Sequence, residues 1–94
     1  MNKSDLIRAV SRKTRIRGEV VDEVIDAALD LMAMSVSLEE PVNLRGFGKF
    51  EPRVRPPARL KHPQTGAPLP VEERRTVVFL PSPNLKGRMN GVPR

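Results

Sequence analysis

The sequence predicts one small α+β domain in which two helices precede an antiparallel sheet, a long arm and a short terminal helix. Apolar residues recur at helical spacing as far as residue 36, and apolar and polar residues alternate after Pro41. Residues 53–66 interleave cations with prolines. This last segment has too few apolar side chains for a core and too many prolines for a helix or a central strand, so it is predicted to be an exposed cationic arm.

Two helices are expected in the first forty residues. The first should begin behind Ser4, because serine caps helix N-termini well. The second, longer helix should start at Gly18, with a broad apolar stripe over residues 20–36 and carboxylates opposite it and in the first turns. It should end just before Pro41, since the residue preceding a proline disfavours the helical conformation.

Three strands are expected after these helices. Val42 and Leu44 alternate with polar residues in the first strand, and Gly46-Phe47-Gly48 suits a tight turn that pushes Phe47 into the core. The second strand follows at residues 49–51 and runs on into the arm. Residues 75–80 are rich in β-branched and aromatic side chains and form the third.

The chain is predicted to close with a short helix capped by Ser82, with Pro83 at its first position, where a missing N–H costs little. Within a single domain over 1–94, residues 1–50 are expected to form a helical dimerisation body with the first strands. Residues 51–75 form the arm, residues 76–90 the last strand and helix, and residues 91–94 a frayed tail.

The charge distribution indicates a polyanionic partner. Residues 1–50 carry eight Lys/Arg and eight Asp/Glu, whereas residues 51–94 carry nine Lys/Arg and three Asp/Glu. Nucleic acid is favoured over an anionic membrane, because the arm prolines forbid a cationic amphipathic helix. Cysteine is absent and His62 is the only histidine, so no disulfide, metal site or cofactor is expected. Without an apolar run of membrane-spanning length, a cytoplasmic location is expected.

Two motifs make the chain resemble the HU/IHF family of bacterial nucleoid-associated DNA-bending proteins. They are Leu-Arg-Gly-Phe-Gly-Lys-Phe at residues 44–50 and Pro-Gln-Thr-Gly at residues 63–66. Gly-Phe-Gly-x-Phe alone is weak, but together with Pro-x-Thr-Gly at the family's spacing it is specific. With residues 1–4, 74–79 and 85–86, the resemblance covers about the whole chain.

The resemblance implies an intertwined dimer, with a helical body and a three-stranded antiparallel sheet extended into β-ribbon arms that reach around duplex DNA. Pro63 would be the wedge at each arm tip, partly intercalated between base pairs as in this family of minor-groove binders. The implied dimer-interface residues are Phe47, Phe50 and Phe79. The implied DNA-binding residues are Lys3, Arg53, Arg55, Arg59, Lys61, His62, Pro63, Gln64, Thr65, Arg74, Arg75 and Lys86.

Other interpretations stay open at this point. The arm could serve a module that binds structured RNA or a protein partner, and Pro63 could simply belong to a surface turn. A nuclease would need a carboxylate or histidine cluster, and the only such cluster expected outside the helices is Glu72-Glu73, which is too little. No catalytic residues are therefore expected.

Departures from the family pattern bear on the pairing of the ribbon and on the choice of dimer partner. Pro56-Pro57 removes two backbone donors, which predicts an interruption of the ribbon pairing. Residues 74–79 and 85–88 look closer to the IHF branch than to HU, so both a homodimer and a heterodimer with a paralogue remain open.

Overall fold

The computed structural model describes residues 1–61, 66, 68–71 and 73–91, with side chains described for residues 1–57, 66 and 73–91. The elements, in chain order, are α1 (Lys3–Thr14), α2 (Gly18–Ser37), β1 (Val42–Leu44), β2 (Gly48–Arg55), β3 (Ala58–Lys61), β4 (Pro68–Val71), β5 (Arg74–Pro81) and α3 (Pro83–Met89). This order confirms the predicted α+β class. Two compact units, Met1–Met34 and Ser35–Arg94, divide within α2.

The N-cap of α1 lies two residues earlier than predicted. Asn2, not Ser4, is the N-cap: its side chain accepts a hydrogen bond from the Asp5 amide at 2.9 Å, and the Asp5 carboxylate accepts one from the Asn2 amide at 3.1 Å. The prediction of Ser4 as the cap was wrong because this reciprocal capping box satisfies two end donors, and an acidic residue three positions after Asn2 makes it possible.

Helix α2 starts at Gly18, as predicted, and ends at Ser37 in a Schellman motif. The Glu39 amide donates to the Val36 carbonyl and the Glu40 amide to the Ser35 carbonyl, at 3.0 and 2.9 Å. Glu39 itself has φ 63°, in the left-handed region where glycine is usual. A side chain in this conformation costs about 1 kcal/mol or more.

The predicted apolar stripe of α2 is largely uncovered in the single chain. Val21 is 3% exposed and is the one buried apolar side chain among those described, whereas Val24 is 61% and Leu31 65% exposed. A chain of 94 residues buries only a modest share of its surface, so an amphipathic helix of this length has more apolar area than one chain can cover.

The second unit contains an antiparallel sheet in the order β1-β2-β5. Residues Val42 to Leu44 pair only with the first three residues of β2, and the remainder of β2 pairs with β5 alone. Pro52 lies in this remainder, opposite Val77, so β2 is an edge strand where the proline occurs. This position explains how a proline is accommodated within an eight-residue strand.

In the turn between β1 and β2, the buried residue is not the one that was predicted. Gly46 has φ 79°, and the Phe47 amide closes the turn on the Leu44 carbonyl at 2.9 Å. Phe47 was predicted to enter the core, which is wrong for the single chain: it is 48% exposed. Gly48 is the buried residue, because its missing Cβ lets the Phe79 ring lie directly against the backbone.

The arm contains a ribbon of its own. Strands β3 and β4 pair antiparallel, with Arg59 opposite Pro70 and Lys61 opposite Pro68, in a sheet separate from β1-β2-β5. Residues 56 and 57, the predicted proline interruption, belong to neither strand. The interruption is thus confirmed, and the outer ribbon forms a second hydrogen-bonded ladder beyond it.

Helix α3 begins as predicted. The Ser82 side chain accepts from the Leu85 amide at 3.1 Å, and Pro83 is at the first position of the helix. The Ser82 amide donates to the Phe47 carbonyl at 2.9 Å, which joins the start of α3 to the β1–β2 turn.

Candidate nucleic-acid interface

The register of β2 and β5 gives this ribbon two chemically different faces. Directly opposed residues of an antiparallel pair share a face, and neighbours along a strand lie on opposite faces. One face, here called the cationic face, carries Lys49, Glu51, Arg53, Arg55, Arg74 and Thr76, with Val78 and Leu80 at its inner end. The other, here called the apolar face, carries Phe50, Pro52, Val54, Val77 and Phe79, together with Arg75.

Two arginines lie directly opposite each other at the outer end of the cationic face. Arg55 pairs in register with Arg74, and both side chains are exposed. Within the described residues neither has a carboxylate partner, whereas Arg53 lies 3.5 Å from a Glu51 oxygen. Like charges directly opposite are destabilising in a sheet. A bound anion would relieve this repulsion, so the position is suited to a phosphate.

Arg75 lies on the apolar face, away from these arginines. Its Nε is 3.6 Å from the Glu39 Oε1, and its Nη2 donates a hydrogen bond to the Ser37 carbonyl at the end of α2. Arg75 thus binds its own chain rather than presenting a free guanidinium. The sequence indicates only that Arg74 and Arg75 lie on opposite faces, because adjacent residues of a strand alternate; which of the two lies on the apolar face depends on the register.

Lys3 and Lys86 lie outside the ribbon. The Lys3 ammonium forms an ion pair with Asp26 of α2, and the hydrogen bond to this carboxylate raises the pKa of Lys3 above its ordinary value, with Asp22 and Asp30 adding to the effect. The Lys86 side chain is exposed on α3. Lys3 is therefore paired with a carboxylate of its own chain. Among the described side chains, Lys86 has no such carboxylate partner.

The predicted arm residues are described only in part. The backbone places Arg59 and Lys61 in β3, beyond the proline interruption. His62, Pro63, Gln64 and Thr65 lie outside the described residues, as do the side chains of Arg59 and Lys61. Gly66 has φ 70°, a conformation that favours glycine at this position.

The predicted interface phenylalanines form one cluster. The Phe79 ring centroid lies 4.9 Å from that of Phe50 and 5.6 Å from that of Phe47, with tilted rings. Phe79 is 39% exposed, so part of the cluster is open to solvent in the single chain. None of the three rings stands on the cationic face; Phe50 and Phe79 occupy the apolar face.

Two other kinds of feature, a membrane span and a metal site, are absent from the described residues. Across residues 1–61, 66, 68–71 and 73–91, no helix is both long enough and apolar enough to cross a bilayer. Among the described side chains, no three histidines or carboxylates converge in a way that could hold a metal ion.

The proteins that this chain is similar to are DNA-binding proteins, in agreement with the exposed cations of the ribbon. The profile of the family described as bacterial DNA-binding protein matches residues 1–90. DNA-binding protein HU-1 of Halalkalibacterium halodurans is 34% identical, over 92% of this chain and 96% of its own. HU-alpha of Pseudomonas aeruginosa is 33% identical over 96% and 100%. Integration host factor subunit beta of Stenotrophomonas maltophilia is 30% identical over 98% and 92%.

Solved structures show the same likeness. The chain superposes on Anabaena HU from a cocrystal with DNA with a TM-score of 0.86 at 30% identity, covering 96% of this chain and 98% of that one. A variant of Thermotoga maritima HU superposes with a TM-score of 0.73 at 24% identity, over 96% and 100%. The second likeness supports the fold alone.

Proposed function

This chain belongs to the HU/IHF family of bacterial DNA-binding proteins, and on that premise we propose that it is an architectural protein that binds and bends duplex DNA. It acts as a dimer, approaches the minor groove with little sequence preference and compacts the bacterial nucleoid in the cytoplasm. The observation that carries the proposal is the cationic face, on which Arg53, Arg55 and Arg74 stand together where the ribbon leaves the sheet.

These arginines suit phosphates better than they suit base edges. They are exposed, they come from two strands at one end of a ribbon, and Arg55 and Arg74 repel each other until an anion lies between them. Contacts to phosphate position a protein on the duplex without reading its sequence. The proposed contact set is Lys3, Arg53, Arg55, Arg59, Lys61, His62, Pro63, Gln64, Thr65, Arg74 and Lys86, and Arg75 receives a separate assignment below.

Pro63 is proposed as the wedge of the arm. A rigid apolar ring can enter a base step with little side-chain entropy to lose, and unstacking the step kinks the duplex. The cations of the arm then bind phosphates on either side of the kink. The paired backbone of β3 and β4 supports this role, because a two-stranded ribbon can carry a tip residue away from the body of the protein.

The dimer is supported by the apolar surface that one chain leaves open. Val24 and Leu31 on α2 and the cluster of Phe47, Phe50 and Phe79 lack sufficient cover within the chain. We propose that a second copy covers them, with residues 1–50 supplying most of the body. A heterodimer with a paralogue would cover the same surfaces, and sedimentation of the purified chain distinguishes the two cases.

The proposed function involves no catalytic activity and no cofactor. The family is described as bacterial DNA-binding proteins, and Glu72-Glu73 supplies two carboxylates adjacent in sequence, which is less than the cluster that metal-dependent hydrolysis needs. Cleavage of DNA by the purified protein with magnesium would contradict this part of the proposal.

Salt-dependent binding and end-to-end energy transfer together test the function. The affinity for duplex DNA should fall linearly on a log–log plot against salt, with a slope of about −0.9 per neutralised phosphate. A duplex labelled at both ends should show increased transfer on binding, because bending brings the ends together. Duplex RNA of the same sequence is the control. Tighter binding to RNA at equal salt, or binding without increased transfer, would refute DNA bending.

A further inference from the structure

Glu39 has a backbone conformation that favours glycine, and within the described residues its side chain forms one ion pair. It is the left-handed residue of the Schellman motif that ends α2, with φ 63°. Its carboxylate reaches the Arg75 guanidinium on β5. A residue held in an unfavourable conformation points to a use for its side chain. The ion pair with Arg75 is the use that the structure offers.

Arg75 is a charged residue on an otherwise apolar face of the ribbon. Its neighbours on that face, Val54 opposite and Val77 two residues on, are apolar. Its guanidinium turns to the end of α2, where it binds both Glu39 and the Ser37 carbonyl. Ser37 is the last residue of the helix, and a cation is favourable at this negative end of the helix dipole.

A groove separates the elements that Arg75 connects. It has a volume of about 590 Å³ and is lined by Val36 of α2 and by Val54 and Val77 of the ribbon, among others. Because this groove lies between the last turn of α2 and the ribbon, the polar contacts of Arg75 across it are a means of holding the ribbon base in one position. All of the groups involved belong to the unit Ser35–Arg94.

We propose that Arg75, Glu39 and the Ser37 carbonyl form a strut that fixes the base of the ribbon against the last turn of α2. Arg75 is then a positioning residue and does not bind phosphate, which separates it from Arg74 beside it. The inference rests on the proposed DNA-bending function, since the position of the ribbon base determines where the arm tip meets the duplex. A looser base spreads the tip over many positions and lowers the average bend.

Arg75→Gln and Glu39→Gln test the strut, with Arg74→Gln as a matched control of the same chemistry on the cationic face. The salt slope should stay at the wild-type value in the first two variants and lose about 0.9 per arm in the control. At saturating protein, energy transfer between the duplex ends should fall equally in the first two variants. The double variant should fall no further, because both changes remove the same contact.

Glu39→Gln gives the sharpest distinction. If Arg75 instead bound phosphate and Glu39 competed for it, removing the carboxylate would free the guanidinium and steepen the salt slope, and Arg75→Gln would make the slope shallower. Either result, or unchanged transfer in both variants, would overturn the strut. If the wild type itself failed to bend DNA, the proposed function would fall first, so the two failures are distinguishable.

Glu39→Gly separates the strut from general folding stability. Glycine accepts the left-handed conformation without penalty, so this variant should unfold at a higher denaturant concentration than Glu39→Gln. It should nevertheless show the same reduced energy transfer as Arg75→Gln. Wild-type transfer in Glu39→Gly would show that the carboxylate has no part in positioning the arm.

Discussion

Replacing Gly48 by alanine should destabilise the protein through a specific clash. A Cβ at this position would lie 2.5 Å from two ring carbons of Phe79 and 2.8 Å from the carbonyl oxygen of Leu80. Ordinary contacts of a Cβ atom are 3.4–4 Å. The ring could rotate away only by disturbing its contacts with Phe47 and Phe50, and the carbonyl belongs to the backbone of β5.

Overpacking of this kind costs about 1–3 kcal/mol, and about 2 kcal/mol corresponds to a fall in Tm of about 8–16 °C for a domain of this size. Thermal and urea unfolding at one fixed protein concentration measure the effect, since a dimer's stability depends on concentration. Gly18→Ala is the matched control. No atom lies within 4 Å of the position of its Cβ, and Gly18 begins α2. Alanine there should be neutral or stabilising by up to about 1 kcal/mol.

Equal midpoints for Gly48→Ala and the wild type would refute the argument that the missing Cβ is what lets Phe79 pack against β2. A loss of stability in Gly18→Ala similar to that in Gly48→Ala would show that the effect is a general response to removing glycine. Only a loss confined to Gly48 supports the close approach seen in the structure.

Three further predictions concern the caps, the charges and the arm. Asn2→Ala should cost about 1 kcal/mol in urea unfolding because it breaks the capping box, whereas Ser4→Ala should change little; equal effects would contradict the assignment of the cap. The raised pKa of Lys3 means that its pairing with Asp26 stabilises the fold fully below the unfolded value of 10.5 and is lost as the pH rises through the higher folded value. Asp26→Asn should therefore lower the Tm at neutral pH, and the difference from wild type should vanish at strongly alkaline pH; a constant difference would exclude the ion pair as its cause. Pro63→Ala should keep salt-sensitive DNA binding but reduce the energy transfer that reports bending, and an unchanged transfer would remove the wedge role.

The elements themselves were largely predictable from local patterns. The apolar stripe and Gly18 located α2, alternation after Pro41 located β1, and Pro56-Pro57 located the break in the ribbon. Ser4 failed as a cap because Asn2 is also a good cap and has Asp5 at the reciprocal position, so the choice depended on a pair of residues and not on one.

The faces of the ribbon were harder to predict because they depend on register. A one-residue slip of β5 against β2 would exchange the faces of Arg74 and Arg75, and no local feature of either residue reports it. In the observed register Phe50 stands opposite Phe79 and their rings are in contact, and this contact joins residues far apart in the chain. The contact between Arg75 and Glu39 likewise requires the end of α2 to lie beside β5, which no sequence spacing expresses.

The break at Pro56-Pro57 has a consequence for how this chain can change over evolution or by design. The gap between the two ladders is two residues long on each strand, from Arg55 to Ala58 and from Val71 to Arg74, so the outer ladder keeps the register of the inner one. An insertion or deletion in one strand alone would break this common register, whereas equal changes in both strands would preserve it. The arm can therefore change in length and tip chemistry while the inner sheet keeps its pairing, provided that its two strands change together.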